Sequence, residues 1–234
     1  MATENTQVNV DALVATGAHF AHVKSRRHPS MKKFILGNKN KVDLIDLSKS
    51  VELLGEAAKT IERYGAEGKT VLFVAGKREA IKPTRAIAES LSMPHVTGRW
   101  LGGTLTNFSE IKKRLARLEE LKKMRESADF SKKYTKLERL MLSREENRLE
   151  TRLGGLSGLS KLPDLMVVVD TKAEAIAIAE AKGRGVPVIG IMSSDCDTAD
   201  ATYPIVVNDA SVKTIELVLS ALAGAYKKGR DGTA

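Results

Sequence analysis

Two histidines stand three positions apart near the start of the chain, in the stretch GAHFAH. On one helical turn His19 and His22 would face the same side, and a histidine pair of this kind can bind zinc when a carboxylate joins it. Asp195, in the later acidic stretch SSDCDTAD, is the candidate carboxylate. The alternative is that both histidines are ordinary hydrogen-bonding groups. We predict no metal and no cofactor, and keep these three residues as the only ligand candidates.

Phosphate chemistry is suggested in one other place, the stretch GKREA that follows the apolar run KTVLFVAG. Lys77 and Arg78 would lie at a helix N-terminus, where backbone N–H groups favour an anion. The phosphate-loop pattern GxxxxGK[ST] and the dinucleotide pattern GxGxxG are both absent. The sequence therefore predicts a protein that is not an enzyme and has no small-molecule substrate. The competing hypothesis is an α/β enzyme that binds a nucleotide or phosphosugar and oligomerises through an inserted helical arm.

Basic residues outnumber acidic ones, which gives a net charge of +9 over 234 residues. Such a balance is typical of a protein that meets a polyanion. The candidate RNA contacts are Lys24, Arg26, Arg27, Lys32 and Lys33 in an acid-free stretch, then Arg99, and then Lys112, Lys113, Arg114 and Arg117 on a predicted helix. Pro29 and Ser30 argue against a helix in the first stretch, so we expect a flexible loop there. Charged helices are often merely solvated, but these adjacent bases favour binding to a folded RNA.

The elements that must position these residues alternate between apolar strands and amphipathic helices. Continuous apolar runs predict buried strands at 69–76, 164–170, 186–192 and 203–208. Helical spacing follows the first, second and fourth of these runs. Further upstream, FILGNKNKVDLI predicts a hairpin turned at residues 38–40. The alternation predicts an α/β fold, with a Rossmann-like parallel sheet and helices on both faces.

Residues 104–153 depart from this alternation and predict two long helices joined by a short polar break. The helices carry thin apolar stripes, formed by Ile111, Leu115, Leu118 and Leu121 in the first and by Leu137, Leu140, Met141, Leu149 and Leu153 in the second. Such stripes are typical of an antiparallel coiled-coil hairpin. Thr135 and Glu138 have the spacing of a capping box. We predict a discontinuous α/β domain at 1–103 and 154–228, a coiled-coil arm at 104–153 and a flexible tail at 229–234.

The stretches RWLGG and RLGGL mark the two places where the chain passes between domain and arm. The paired glycines at these junctions are Gly102, Gly103, Gly154 and Gly155. Glycine permits close backbone approach and positive φ, which such crossings favour. We predict that Trp100, the only tryptophan, is a packing anchor for the root of the arm. The alternative is that Arg99 and Trp100 contact the partner directly.

The cysteine content, the first residues and the length of the apolar runs bear on the cellular location of the protein. Cys196 is the only cysteine, so an internal disulfide is impossible, as is usual in a reducing compartment. The first residues, MATENTQVNV, contain no apolar signal segment, and no run approaches the ~18 residues of a membrane span. We expect a cytoplasmic protein with no membrane partner.

Six sequence blocks stand out by their order and spacing: GAHFAHVKSRRHPSMKKFILGNKNKVDLIDLSKSVELL, TVLFVAGKREA, RWLGGTLTNF, RLGGL, KLPDLMVVVD and GVPVIGI. Together they resemble the bacterial-type ribosomal protein S2 family of the small subunit, over residues 9 to 228. RWLGG followed by TN is the most specific of them, while Ala21 departs from a glycine that is common in the family. The resemblance implies a flavodoxin-like domain with a coiled-coil insertion that contacts rRNA and neighbouring ribosomal proteins. It also implies a part in docking the large ribosomal protein that captures messenger RNA.

Overall fold

The computed structural model describes residues 8–127 and 130–232 of the chain. Strands and helices alternate over much of it, except that three strands follow one another near the start, helices follow one another in the middle, and two strands follow one another near the end. The strands are β1 (Phe20–Val23), β2 (Ile35–Lys39), β3 (Val42–Ile45), β4 (Val71–Ala75), β5 (His95–Thr97), β6 (Leu165–Val169), β7 (Val188–Met192) and β8 (Tyr203–Val206). The helices are α1 (Val10–Ala15), α2 (Leu47–Ala66), α3 (Arg78–Ser90), α4 (Phe108–Glu126), α5 (Phe130–Lys133), α6 (Lys136–Leu153), α7 (Ala175–Gly183) and α8 (Val212–Asp231).

A five-stranded parallel sheet, in the order β5-β4-β6-β7-β8, forms the centre of the molecule. Strands β4, β6 and β7 are buried along their whole length, which explains why their sequences are apolar runs without alternation. The direction of strand addition reverses between β4 and β6, which gives the flavodoxin-like order. The predicted α/β fold with a parallel sheet is confirmed.

Helices cover both faces of this sheet. One face, which includes Val71 and Phe73, packs against α2, α3 and α8 in one hydrophobic cluster. The opposite face, which includes Leu72 and Val74, packs against α7 and the segment around Trp100. Because successive side chains of a strand point to opposite faces, each buried strand contributes to both clusters. The prediction of helices on both faces is therefore also confirmed.

Helices α2 and α8 pack closely against each other on the first of these faces. A Cβ added at Gly229 would lie 1.9 Å from the carbonyl oxygen of Glu62, and one at Gly65 would lie 2.2 Å from that of Tyr226. Only glycine allows backbones to come so near. The prediction of a flexible tail from residue 229 is wrong at its start, because this contact holds the last turn of α8 in place as far as Asp231.

The N-terminal part forms a three-stranded antiparallel sheet in the order β1-β3-β2. Strands β2 and β3 are the predicted hairpin, but Lys39 still pairs with Val42. The turn consists of Asn40 and Lys41, which take positive φ values of 52° and 68°. The turn therefore lies slightly later than the sequence indicated.

The segment inserted after β5 forms a hairpin of α4 and α6. Ile111, near the start of α4, and Leu153, at the end of α6, lie in the same hydrophobic cluster, so the helices run antiparallel from a common root. The stripe predicted for α4 is buried at all four positions, Ile111, Leu115, Leu118 and Leu121. The capping box of Thr135 and Glu138 is also present. Because this cluster includes residues of the sheet, the root of the arm is part of the domain core.

The stripe predicted for α6 is wrong over its first half. The exposed members are Leu137, Leu140 and Met141, at 65%, 47% and 63% exposure. Glu146 and Leu153 are the buried residues of this helix. Burial of Glu146 is possible because Arg125 of α4 pairs with its carboxylate at 2.9 Å. A pattern of apolar residues alone could not identify a seam that contains a carboxylate.

Candidate nucleic-acid interface

Trp100 lies at the root of the arm, on the α7 side of the sheet. Its side chain is only 6% exposed and packs in the hydrophobic cluster that includes Leu72 and Leu153. The indole Nε1–H donates a hydrogen bond to Oε1 of Glu180 in α7, at 3.1 Å. The structure therefore places Trp100 inside the protein, while the neighbouring Arg99 is exposed.

Glu180 also holds the segment that follows Trp100. Its Oε1 accepts the N–H of Gly103 at 2.7 Å, and its Oε2 accepts those of Leu105 and Thr106 at 2.9 and 3.1 Å. Burial by itself would raise the pKa of Glu180, but these donors outweigh burial and hold the pKa below its ordinary value. Glu180 was not among the residues predicted from the sequence, where the available signal was one glutamate inside the apolar stretch AIAIAEAKG.

The junction glycines differ in what they permit. Gly103 has a φ of +91°, which residues with a side chain rarely adopt. A Cβ at Gly155 would lie 2.2 Å from the carbonyl oxygen of His95, so only glycine lets the returning chain pass the edge of the sheet. A Cβ at Gly154 would meet a flexible carboxylate side chain at 2.7 Å. Gly102 has open space around it, and the structure gives no steric reason for glycine there.

The N-terminal basic segment, residues 24–33, forms two short 3-10 helices. His28 donates its N–H to the carbonyl oxygen of Ser194 at 2.8 Å, and the Oγ of Ser30 accepts the N–H of Thr198 at 3.1 Å. The flexible loop expected from the sequence is therefore an ordered surface, because hydrogen bonds to the loop after β7 hold it.

The cations of the N-terminal basic segment have different environments. Nε of Arg27 lies 3.6 Å from a carboxylate oxygen of the fully buried Asp43, so Arg27 offsets a charge inside the protein. Lys33 lies over the ring of Phe34, 5.0 Å from its centroid. The exposed cations that form no ion pair with the described residues are Lys24, Arg26, Lys32 and Lys33. These four are available to contact an anion outside the protein.

The cations of α4 divide in the same way. Arg117 pairs with Glu145 of α6 at 3.2 Å and so links the two helices of the arm. Lys113 pairs at 2.7 Å with a carboxylate one turn earlier. Lys112 and Arg114 are exposed and form no ion pair within the described part of the chain. Nζ of Lys112 lies over the ring of Phe108, 5.3 Å from its centroid.

The candidate metal ligands are only partly brought together. Nε2 of His22 lies 3.4 Å from Oδ1 of Asp195, and Oδ2 of Asp195 lies 3.2 Å from Nζ of Lys172. The ring of His19 instead packs against Phe20, with 4.0 Å between centroids. Among residues 8–127 and 130–232, no three histidine, cysteine, aspartate or glutamate side chains are arranged to hold a metal ion.

The switch point between β4 and β6, where flavodoxin-like domains bind ligands, is filled by the protein's own side chains. Lys77, just after β4, pairs with Asp170 at 3.3 Å and with Asp209 at 3.1 Å. Asp209 is 1% exposed, and its burial raises its pKa to about 6 even though Lys77 opposes the shift. Burial opposes the charge of Lys77 as well, but Asp209 and Asp170 bring the pKa of Lys77 above its ordinary value.

This filled crevice counts against phosphate binding near Lys77. A phosphate there would face the carboxylates of Asp170 and Asp209, which already offset the charge of the lysine. Arg78 is exposed, and no glycine-rich loop surrounds it. At the position where an enzyme of this topology would bind its substrate, the charge of Lys77 is therefore already offset by two carboxylates.

The fold defines a class, a flavodoxin-like α/β protein with a helical hairpin inserted after β5. A family model described as ribosomal protein S2 matches residues 13–229. The chain belongs to the ribosomal protein S2 family, which confirms the resemblance found in the sequence. This family is structural and non-enzymatic, so the competing enzyme hypothesis is wrong.

Curated relatives agree with this assignment over almost the whole chain. The small ribosomal subunit protein uS2 of Salinibacter ruber is 40% identical over 223 residues, which cover 95% of this chain and 69% of the relative. The uS2 protein of Corynebacterium urealyticum is 39% identical over 97% of this chain and 84% of its own length. That of Mycolicibacterium paratuberculosis is 41% identical, with 95% and 80% covered.

Proposed function

We propose that the chain is a structural constituent of the small ribosomal subunit and binds small-subunit rRNA through the N-terminal basic segment and the arm. One observation carries the proposal beyond family membership, namely that both surfaces present exposed cations that form no ion pair with the described residues. These are Lys24, Arg26, Lys32, Lys33, Lys112 and Arg114. Cations that no carboxylate among the described residues offsets are available to replace the counterions of RNA phosphates.

In this proposal the two parts of the chain have separate tasks. The α/β domain, residues 1–103 and 154–228, seats the protein on the subunit, and the arm, residues 104–153, reaches across the rRNA. Support comes from the continuous hydrophobic clusters of the domain and from the ion pairs that stiffen the arm, such as Arg117 with Glu145.

The partners of the proposed function are rRNA and neighbouring small-subunit proteins, including the large protein that captures messenger RNA. We propose that the protein supports subunit assembly and the docking of that large protein during translation, as the family resemblance implies. It would act on the ribosome in the cytoplasm, without a cofactor or small-molecule substrate. No helix among the described residues is long and apolar enough to cross a membrane.

The test is the salt dependence of binding to purified small-subunit rRNA. Each phosphate contact that is lost should reduce the slope of log affinity against log salt by about 0.7–0.9. We expect a smaller slope for Lys24→Gln with Arg26→Gln, and separately for Lys112→Gln with Arg114→Gln. The control, Lys59→Gln with Lys213→Gln, removes the same charge from exposed positions on α2 and α8 and should leave the slope unchanged.

The same variants should also be followed on sucrose gradients of cell lysate. The wild-type chain is expected to travel with small subunits, and the variants of the two binding surfaces should shift towards free protein. Equal slopes for all variants and a wild-type chain that stays at the top of the gradient would overturn the proposed function.

A further inference from the structure

A large groove lies at the root of the arm, and neither the N-terminal basic segment nor α4 lines it. It has a volume of about 920 Å³ and is open to solvent. Four parts of the chain line this arm-root groove, namely α3, the edge strand β5, the loop after it and the end of α6. Binding sites for small ligands are typically about 300–1,000 Å³, so the groove is large enough for one or two nucleotides.

Positive charge converges on the arm-root groove from separate elements. The guanidinium groups are those of Arg85 on α3, Arg99 on the loop after β5 and Arg152 on α6. Nη2 of Arg85 donates to the Oγ1 of Thr97 at 3.0 Å, which holds this side chain against the groove wall. Arg99 and Arg152 are exposed and form no ion pair within the described residues. Two of the three guanidinium groups are therefore available for an anion.

Two glutamates also line the arm-root groove and must be set against these arginines. Glu150 pairs with Lys122 at 2.6 Å, so its charge is already offset. Glu89 forms no ion pair among the described residues and lies at the α3 side, near His95. The groove therefore keeps an excess of positive charge at its loop and α6 sides.

The walls of the arm-root groove are fixed before any ligand arrives. The hydrogen bond to Glu180 holds Trp100, and the close approach of Gly155 to the carbonyl of His95 fixes the end of α6 against β5. Burial holds the pKa of His95 below its ordinary value, and Arg85 adds to this effect. A neutral imidazole can both stack on a base and exchange hydrogen bonds with its edge.

We propose that the arm-root groove binds one or two unpaired nucleotides of RNA, with phosphate oxygens on Arg99 and Arg152 and a base against His95. Guanidinium groups bind phosphate through paired hydrogen bonds, and proteins read single-stranded RNA through bases stacked on aromatic or imidazole rings. An acidic peptide would satisfy the arginines but would leave the imidazole unused. This inference rests on the proposed function, since it assigns to the same RNA-binding protein a contact at which the nucleic acid is unpaired.

The test uses the full chain and the fluorescence of Trp100, which is the only tryptophan and forms part of the groove wall. The probe is a short single-stranded oligouridylate, compared with a fully paired RNA duplex and a polyglutamate peptide. The single strand should change the fluorescence, whereas the duplex and the peptide should not. Arg99→Gln with Arg152→Gln should weaken single-strand binding by at least about tenfold, because each substitution removes a charge-assisted hydrogen bond. The control pair, Lys59→Gln with Lys213→Gln, should bind as the wild type does.

Three outcomes would overturn the proposal, and each can be told apart from a failure of the proposed function. Equal affinity of the groove variant and the wild type would place the contact elsewhere. A fluorescence change with polyglutamate alone would make the groove a peptide site. Absence of oligouridylate binding, while small-subunit rRNA still binds with the expected salt slope, would reject the groove and leave the proposed function standing. Because both substituted arginines are exposed, a thermal unfolding curve is sufficient to show that the variant is folded.

Discussion

The indole Nε1 of Trp100 lies 3.1 Å from Oε1 of Glu180, and this contact joins the root of the arm to α7 across 80 positions of sequence. The same carboxylate accepts three backbone N–H groups from the segment between Trp100 and α4. One buried side chain therefore determines the path by which the chain leaves the sheet and enters the arm.

Replacing Trp100 by alanine should destabilise the protein by about 3–5 kcal/mol, because a large buried side chain is lost and a cavity remains. The measurement is the urea midpoint of the purified protein. Trp100→Phe should recover most of the loss, since the ring still fills the space. Under conditions where Trp100→Ala is folded, its affinity for rRNA should be close to that of the wild type. Unchanged stability with a collapse of affinity would make Trp100 a contact residue.

Replacing Glu180 by glutamine should cost at least about 2 kcal/mol at neutral pH, because several N–H donors would lose a charged acceptor. The folded protein holds the pKa of Glu180 below its ordinary value, so its stabilisation is complete above the unfolded pKa and is lost as the pH falls through the folded pKa. The stability difference between wild type and variant should therefore shrink in acid. Urea denaturation at a series of pH values tests this, with the exposed Glu52→Gln as control. A difference independent of pH would show that shape matters here and charge does not.

The buried Asp209 should have the opposite effect on pH dependence. Its pKa is raised from 3.8 to about 6 in the folded protein, so the folded state holds the proton more tightly than the unfolded state does. Between these two values, rising pH should remove up to about 3 kcal/mol of stability through this group. Asp209→Asn should abolish that loss, whereas Asp11→Asn at an exposed position should not. Parallel stability profiles for the wild type and Asp209→Asn would contradict the assigned burial.

Only the part of the arm beyond its root should be removable without loss of cooperative folding in the α/β domain. Replacement of residues 119–148 by a short Gly-Ser linker leaves Ile111 and Leu153 in the core, so cooperative unfolding in urea is expected. Replacement of residues 104–153 removes both side chains and also the donors of Leu105 and Thr106 to the carboxylate of Glu180. That protein should unfold without a sharp transition. Two equally cooperative curves would show that the root contributes little to the core.

Most of the fold could be predicted because its central strands are buried on both faces. The runs VLFVA, LMVVV and VIGIM therefore need no alternation to be recognised as strands. The stripe of α4 was equally clear, since all four of its leucine and isoleucine positions are apolar and buried. The stripe of α6 was not, because its buried face contains Glu146, whose partner Arg125 lies on the other helix.

The basic residues of the candidate interface could be predicted from the sequence. Which of them form ion pairs inside the protein could not be predicted. Nothing near Arg27 in the sequence identifies Asp43 as its partner, and the link from Arg117 to Glu145 depends on how the two helices of the arm pack. Glu180 was missed for the same reason, since its donors lie more than seventy positions away. The local sequence shows which side chains are charged. Only the tertiary structure shows which of those charges already form ion pairs within the protein.

The attachment of the arm by Glu180 also has a mechanical consequence. At about 1.5 Å per residue, the 19 residues of α4 make a lever about 28 Å long. A tilt of about 10° at the root of a helix of that length would displace its far end by about 5 Å, which is close to one helical turn. A carboxylate that holds the root against α7 thus determines the position of the far end of α4. Loosening that contact would misdirect the distal part of the arm even where every distal residue is unchanged.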